Sequence, residues 1–510
     1  MYRPVFIIPA LFLIVSAAAS TDSAAANDAA ADALLSKQRS FVGWEFGDGS
    51  VRTLRLTEIK TISSNGSPKT LTTARELRMG AAFRDTVTTE KGITSESGFT
   101  GNLFWESNEN GFTHPIVGDP QKLIVSRQLI FLGATTTLPG TSQGTRTIEG
   151  RQLSVVRVGL PQSFSTDVYI DPSTGESKRY VIDPGGDNEQ GLDVLAYTDA
   201  LPRKKIISKW HYAGSTATHE LTKIEANVPI AADELHPPKQ AATWTFASAQ
   251  PFHIDFRPYP SPRIYVEAKV NGVNGRFVLD SGAASIVLNQ QFADRITAEK
   301  MRRSSGYGIG GVVATNIERI ATMQVGGNTL RNVIVTALPI EIDKGVQIDG
   351  LIGYDFLAGA IVDINLDRSQ MTIYDPSNHP QSMDSGLQAI VDLADQTPSL
   401  PMKLNGIAVN AMLDSGNPTS VLYGPDLVYK YGLRSLKAGT IAVGVGGYEV
   451  EDCGYVEKIS VGPIVYQRPP ACLSHSFNGR QILAGLDFMQ HFNMIFDYPE
   501  SKIVLLRRKE

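Results

Sequence analysis

The feature that most limits what this chain can fold into is an internal repeat. Lys269-Val270-Asn271-Gly272, followed by Phe277-Val278-Leu279-Asp280-Ser281-Gly282, returns as Lys403-Leu404-Asn405-Gly406, followed by Ala411-Met412-Leu413-Asp414-Ser415-Gly416. The two aspartates and the two Asn-Gly turns share one offset, 134 residues (414 − 280 and 405 − 271). The match runs on in order. Gly308-Ile309-Gly310-Gly311 answers to Gly444-Val445-Gly446-Gly447, and Gln324-Val325-Gly326 to Ser460-Val461-Gly462. Leu351-Ile352-Gly353-Tyr354-Asp355-Phe356 answers to Leu483-Ala484-Gly485-Leu486-Asp487-Phe488, and Ile361-Val362-Asp363 to Ile495-Phe496-Asp497. Ordered anchors at nearly constant spacing mark one structural unit used twice. The short alternating apolar runs, punctuated by Gly, Asn-Gly and Asp-Pro turns, make that unit mostly β.

A chain of 510 residues exceeds one ordinary core and calls for several domains. The two copies are expected over residues 250–377 and 388–510, with His379 to Thr397 linking them. Proline-rich segments near Pro237-Pro238 and Arg257 to Pro262 separate them from a β-rich domain over 34–236. A net charge of −5 and the absence of basic blocks give no signal for nucleic acid. Arg3, the apolar run Phe6 to Val15 and the small residues Ala17 to Ser20 read as a signal peptide over 1–20, so export to the periplasm or beyond is expected. Thr21 to Ala33 would then be a disordered lead-in. No later stretch is long and apolar enough for a membrane span. An uncleaved N-terminal anchor is the alternative.

Each copy sets an aspartate directly after an apolar strand and before Ser-Gly. The strand fixes the carboxylate, and the small residues allow a tight turn whose N–H groups can approach it. A single Asp-Ser-Gly is a common loop. Two in a duplicated fold can meet across a pseudo-two-fold axis. Carboxylates about 3 Å apart share one proton and serve as acid and base together. Sequence symmetry leaves open which aspartate holds the proton.

The apolar-apolar-Asp-Ser-Gly loop, the glycine-rich hairpin some thirty residues later, and the apolar-apolar-Gly-x-Asp-Phe segment together resemble retroviral-type (retropepsin-like) aspartic proteases. The bacterial exported members are the most similar. The resemblance covers roughly residues 262 to 508 and implies two β-barrel lobes fused into a pseudo-dimer that works as a monomer. It implies that Asp280 and Asp414 are catalytic, supported by Ser281, Gly282, Ser415 and Gly416. Gly353 and Gly485 would sit where the later segment crosses beneath each aspartate. Gly310, Gly311, Gly446 and Gly447 would lie on flaps over a peptide or protein substrate. No cofactor and no metal are implied.

Two departures motivate a rival reading, an inactive peptide-binding or scaffolding module. Asn417-Pro418 stands where the first copy has Ala283-Ala284, and Ala484 stands where it has Ile352. Pairing of each unit with a second molecule is a further alternative. Cys453 and Cys472 are a disulfide candidate in an oxidising compartment, with two separate buried thiols left open.

Several motifs are better read as plain structure. Met383-Asp384-Ser385-Gly386 lacks a preceding apolar strand and reads as linker. Gly306 to Gly311 fits a dinucleotide pattern but leads into a strand, so it reads as the flap hairpin. Gly140-Thr141-Ser142-Gln143-Gly144 fits a nucleophile-elbow pattern but reads as a turn. Asp355 and Asp487 are expected to cap short helices. The N-terminal half offers no catalytic constellation. Its strands faintly resemble periplasmic lipoprotein-carrier half-barrels, which would imply lipid or lipoprotein binding. A shielding β domain and a pro-segment are the alternatives.

Overall fold

In a computed structural model the described residues are 28–62, 69–88, 92, 94–159, 162–247, 252–256, 262–308, 311–341, 345–419, 421–432, 438–475, 477 and 480–508. The expected signal peptide and Gly310 lie outside them. The chain forms two units, Met1–Ser107 with Ile116–Pro238, and Asn108–Pro115 with Lys239–Glu510.

The first unit is a long antiparallel sheet with two helices. The strand Thr53–Ile62 pairs with Ala217–Ala226 from Leu54↔Ala226 to Ile62↔Ala217, joining an early and a late meander. The helix Gly118–Phe131 buries Val125, Leu129 and Ile130 in a core with Leu54, Val168 and Trp210. The helix Ala29–Val42 corrects the expectation of a disordered lead-in. Asp28 caps it by accepting from the N–H groups of Ala30 and Ala31, and Gly43 ends it at φ 78°. Gly140 to Gly144 also departs from expectation, since it opens the strand Gly140–Ile148 and carries the register shift between Ser142 and Thr145.

The second unit holds both copies of the repeat, and the sequence patterning becomes two sheets with one pairing scheme. In the first copy Val273–Leu279 lies antiparallel to Tyr265–Val270 and parallel to Gly350–Ile352, which in turn pairs with Val287–Asn289. In the second copy Ile407–Leu413 stands between Ser399–Leu404 and Gln481–Ala484, and Val421–Tyr423 follows. Alternating burial along Tyr265–Val270 and Ser399–Leu404 puts one face of each sheet into a shared apolar core. Each sheet carries a β-hairpin, Glu299–Gly308 with Gly311–Val325 and Ala438–Gly444 with Gly447–Tyr455. Thr243–Thr245 pairs with Asn328–Leu338, so the first lobe begins before the expected residue 250.

A third sheet joins the lobes. Its centre is Ile361–Asn365 against Phe492–Asp497, paired from Ile361↔Asp497 to Ile364↔Met494. Leu387–Ile390, expected to lie mostly in the linker, is its edge strand against Lys502–Arg507. Asp384 of the third Asp-Ser-Gly is exposed on a 3-10 turn at Gln381–Ser385, apart from any apolar strand.

Candidate active site

The two Asp-Ser-Gly loops meet, and each is built the same way. Each aspartate follows the last residue of its central strand and donates its N–H to the neighbouring crossing segment, Asp280 to Ile352 O at 2.9 Å and Asp414 to Ala484 O at 3.1 Å. The turn then folds back on the carboxylate. Gly282 N–H donates to Asp280 Oδ1 at 3.0 Å, and Gly416 N–H to Asp414 Oδ1 at 2.8 Å.

The serines lock one loop to the other. Ser281 N–H donates to Ser415 Oγ at 2.9 Å and Ser415 N–H to Ser281 Oγ at 3.0 Å. Each hydroxyl donates onward across the interface, Ser281 to Leu413 O at 2.8 Å and Ser415 to Leu279 O at 2.9 Å. Both serines are buried, so these four bonds satisfy polar groups that water cannot reach.

The glycines after them are forced by the opposite carboxylate. A Cβ on Gly282 would lie 2.5 Å from Asp414 Cγ, and one on Gly416 2.3 Å from Asp280 Cγ. The crossings are as tight. A Cβ on Gly353 would lie 2.3 Å from Ser285 O, and one on Gly485 2.1 Å from Thr419 O.

The two carboxyls are hydrogen-bonded to each other and half-buried. Burial, and next the Asp414 charge, hold Asp280 well above the ordinary carboxylate range. Burial also raises Asp414, but the bond from Asp280 and the N–H groups of Gly416 and Asn417 oppose it. Asp414 Oδ1 thus accepts two backbone N–H groups, the second from Asn417 at 3.1 Å, against one for Asp280. The pair titrates as a unit, with its proton favoured on Asp280. Asn417-Pro418 therefore leaves the second loop in shape. Asn417 adds a donor, and its side chain accepts from Thr419 N–H at 2.9 Å and Thr419 Oγ1 at 2.8 Å.

Two neighbours carried no sequence signal. Arg263 is buried and donates from Nε to Gly416 O at 2.6 Å, and its charge lowers both carboxyls. Its place in the second copy, 134 residues on, is Thr397, so the repeat gives no reason to single it out. Tyr498 is buried near the pair, its phenol pushed up by burial, then by Tyr354 and the two carboxylates. It lies just past the last repeat anchor.

The hairpin tips approach one another, since a Cβ on Gly308 would lie 2.3 Å from Val445 O. Gly311, Gly446 and Gly447 take φ of 107°, 90° and 132°, conformations open to glycine. A cleft of about 580 Å³ runs along these tips, lined by Val312, Val313, Pro339, Glu341, Val445 and Tyr448, and neither carboxylate is part of its wall. Val445 and Ala283 both pack on an apolar cluster that includes Val278, Val287 and Leu351.

Asp355 is structural, but it does not cap its helix. Gly353 occupies the cap position, and the Asp355 carboxylate instead accepts Ile286 N–H at 2.9 Å. Asp487 likewise leaves the cap to Gly485. A disulfide joins Cys453 to Cys472. Together with Glu451 these residues form a potential metal cluster, but the bonded sulfurs leave one carboxylate. Among the described residues no helix is long and apolar enough to cross a membrane.

Two solved structures are similar to part of the chain. One is a DUF1329 family protein from Desulfovibrio piger, at 8% identity over 41% of this chain and 97% of that one, with a TM-score of 0.31. The other is a putative outer membrane lipoprotein-sorting protein domain from Vibrio parahaemolyticus, at 8% identity over 40% and 95%, with a TM-score of 0.29. Likeness at that level carries no argument. A search of curated proteins finds no match. Residues 266–356 and 400–488 each match the model of a family described as aspartyl protease, one match to each copy of the repeat.

Proposed function

We propose that the chain is an exported aspartic endopeptidase, a retropepsin-like pseudo-dimer in which Asp280 and Asp414 activate water. The observation that carries this reading is the meeting of the two Asp-Ser-Gly loops, each glycine against the other loop's carboxylate. The twofold match to an aspartyl protease family supports it.

Asp414, held ionised by two backbone donors, takes a proton from water as the oxygen attacks the scissile carbonyl carbon. Asp280 gives its proton to the carbonyl oxygen, forming a gem-diol. The pair then moves one proton to the leaving nitrogen as the C–N bond breaks, yielding a carboxylic acid and an amine. Symmetric loops and crossings leave one full dyad per chain, so the working unit is the monomer. The hairpins serve as flaps over an extended peptide, and the apolar cluster beside Ala283 favours an apolar side chain next to the scissile bond. The N-terminal hydrophobic segment and the disulfide support an oxidising destination outside the cytoplasm.

The test is cleavage of a mixed peptide library from pH 3 to 8 by the wild type, Asp280→Asn and Asp414→Asn. Each substitution is expected to lower kcat by about 10³-fold or more. A folded wild type that cleaves nothing across that range would make the module a binder instead.

A further inference from the structure

Eight residues from within the N-terminal half are part of the first lobe. The segment Asn108–Pro115 belongs to the C-terminal unit, although Ser107 before it and Ile116 after it belong to the other. Phe112 is 1% exposed in the lobe core. The polar residues around it are aimed at the support of the Asp280 loop.

Asn108 and Asn110 donate their amides to Asp355 Oδ1 at 2.6 and 2.8 Å. Asp355 Oδ2 holds Ile286 N–H, at the far end of the loop that begins with Asp280. Asn108 can aim its amide because its own oxygen shapes the turn, accepting from Asn110 N–H at 3.0 Å and Phe112 N–H at 3.1 Å. Asn110 also straddles Ile334, donating to its carbonyl at 2.9 Å and accepting its N–H at 2.7 Å. His114 Nδ1 lies 2.6 Å from the Tyr354 hydroxyl, and Tyr354 N–H donates to Ala283 O at 3.0 Å. Glu109 pairs with Arg302 on the outgoing strand of the first flap.

The segment therefore reaches the Asp280 loop at Ala283 and Ile286. Burial raises Asp355 to about 6, and the two amides and the Ile286 N–H are the groups that oppose it. Among the described residues no segment from outside lobe 2 donates to Asp487 as Asn108 and Asn110 do to Asp355. Asp487 is half-buried, and its carboxylate meets the Gln490 amide at 3.5 Å.

We propose that Asn108 and Asn110 are positioning residues for Asp280, acting through Asp355 on the loop from Ser281 to Ile286. The N-terminal half then contributes to the site, and removing residues 34 to 236 as a pro-segment would disarm lobe 1. The kinetic part of this claim rests on the peptidase reading, whereas the structural part does not.

The test uses the full chain with Asn110→Ala, and with the near-isosteric Asp355→Asn in case the first fails to fold. Amide hydrogen exchange is followed over 281–286 and over 415–419, the matching loop of lobe 2, beside kcat and KM on the peptide library. Exchange at 281–286 is expected to rise about 10-fold with 415–419 unchanged. In parallel kcat is expected to fall about 10-fold at unchanged KM. Asp487→Asn should leave kcat and KM within about 2-fold. Unchanged exchange at 281–286 in a folded variant overturns the proposal whatever the activity. So does faster exchange with kcat intact. A wild type without peptidase activity would sink the peptidase reading alone, and the exchange contrast would still decide whether the segment positions the loop.

Discussion

The two lobes of the C-terminal unit share the pairing scheme and the geometry around the paired carboxyls and differ in what supports them. The Asp-Ser-Gly turns, the serine exchange and the crossing glycines match bond for bond, down to Leu279 N–H on Ile264 O and Leu413 N–H on Pro398 O, both at 2.9 Å. The hairpins do not match. In lobe 1 the returning strand Gly311–Val325 continues into a long ladder with Asn328–Leu338, from Asn316↔Ala337 to Val325↔Asn328. In lobe 2 the returning strand Gly447–Tyr455 has the short strand Pro470–Leu473 on the side away from its hairpin partner, and there Cys453 faces Cys472. The disulfide reinforces this short ladder, whereas lobe 1 has a longer ladder and no cysteine. The Asp280 loop is braced by Asp355, whereas the Asp414 loop gains an extra donor from Asn417. Duplication thus preserved the geometry the paired carboxyls need and let each lobe support it by different means.

The strongest way to break the matched part is at the crossings. Gly353→Ala and Gly485→Ala each drive a Cβ into a backbone oxygen and should cost at least about 3–4 kcal/mol, or prevent folding. Chemical denaturation of the pair would read this, and a tolerated Gly485→Ala would mean lobe 2 is not packed as lobe 1 is.

The disulfide sharpens the unmatched part. Cys453→Ser with Cys472→Ser should lower stability by about 3 kcal/mol, as expected for a loop with a sequence separation of 19. Limited proteolysis should then cut lobe 2's hairpin between Ala438 and Tyr455 before lobe 1's. Equal sensitivity of the two hairpins would show that the bond does not anchor the second one.

The central sheet offers a pH comparison between Asp363 and Asp497, counterparts in the repeat. Burial pushes Asp363 up to about 6 from an ordinary 3.8, and it also raises the buried Asp497 against the opposing charges of His379 and Lys502. A raised carboxyl binds its proton more tightly in the folded state. Its stabilisation is full below about pH 4 and lost as pH rises through about 6. Thermal unfolding should therefore show a falling midpoint from pH 4 to 7. Asp363→Asn should remove about 1–3 kcal/mol of that slope, allowing for partial exposure. A flat profile in the wild type would contradict the burial of both groups.

The smallest effect belongs to the serines. Ser281→Ala and Ser415→Ala each leave a buried N–H on the other loop without its acceptor, at about 1–3 kcal/mol. The two losses should be equal within about 0.5 kcal/mol by denaturation, and a marked inequality would break the symmetry of the exchange.

Most of the candidate site was legible in the sequence because it is a local pattern used twice. An apolar strand ending in Asp-Ser-Gly, a glycine hairpin and a crossing glycine each follow from backbone and steric rules within a few residues, and ordered repetition at nearly constant spacing ruled out chance. The chain alone thus determined two β lobes, the paired aspartates and the glycines around them. Only the tertiary structure decided that Asn108 and Asn110 reach Asp355, that Arg263 sits behind Gly416, and that Leu387–Ile390 is a strand of the sheet joining the lobes. Those residues touch partners between about 100 and 250 positions away, in polar turns and linkers with no period of their own. Long-range contacts of that kind are fixed when the folded core brings the segments together, so no local propensity announces them.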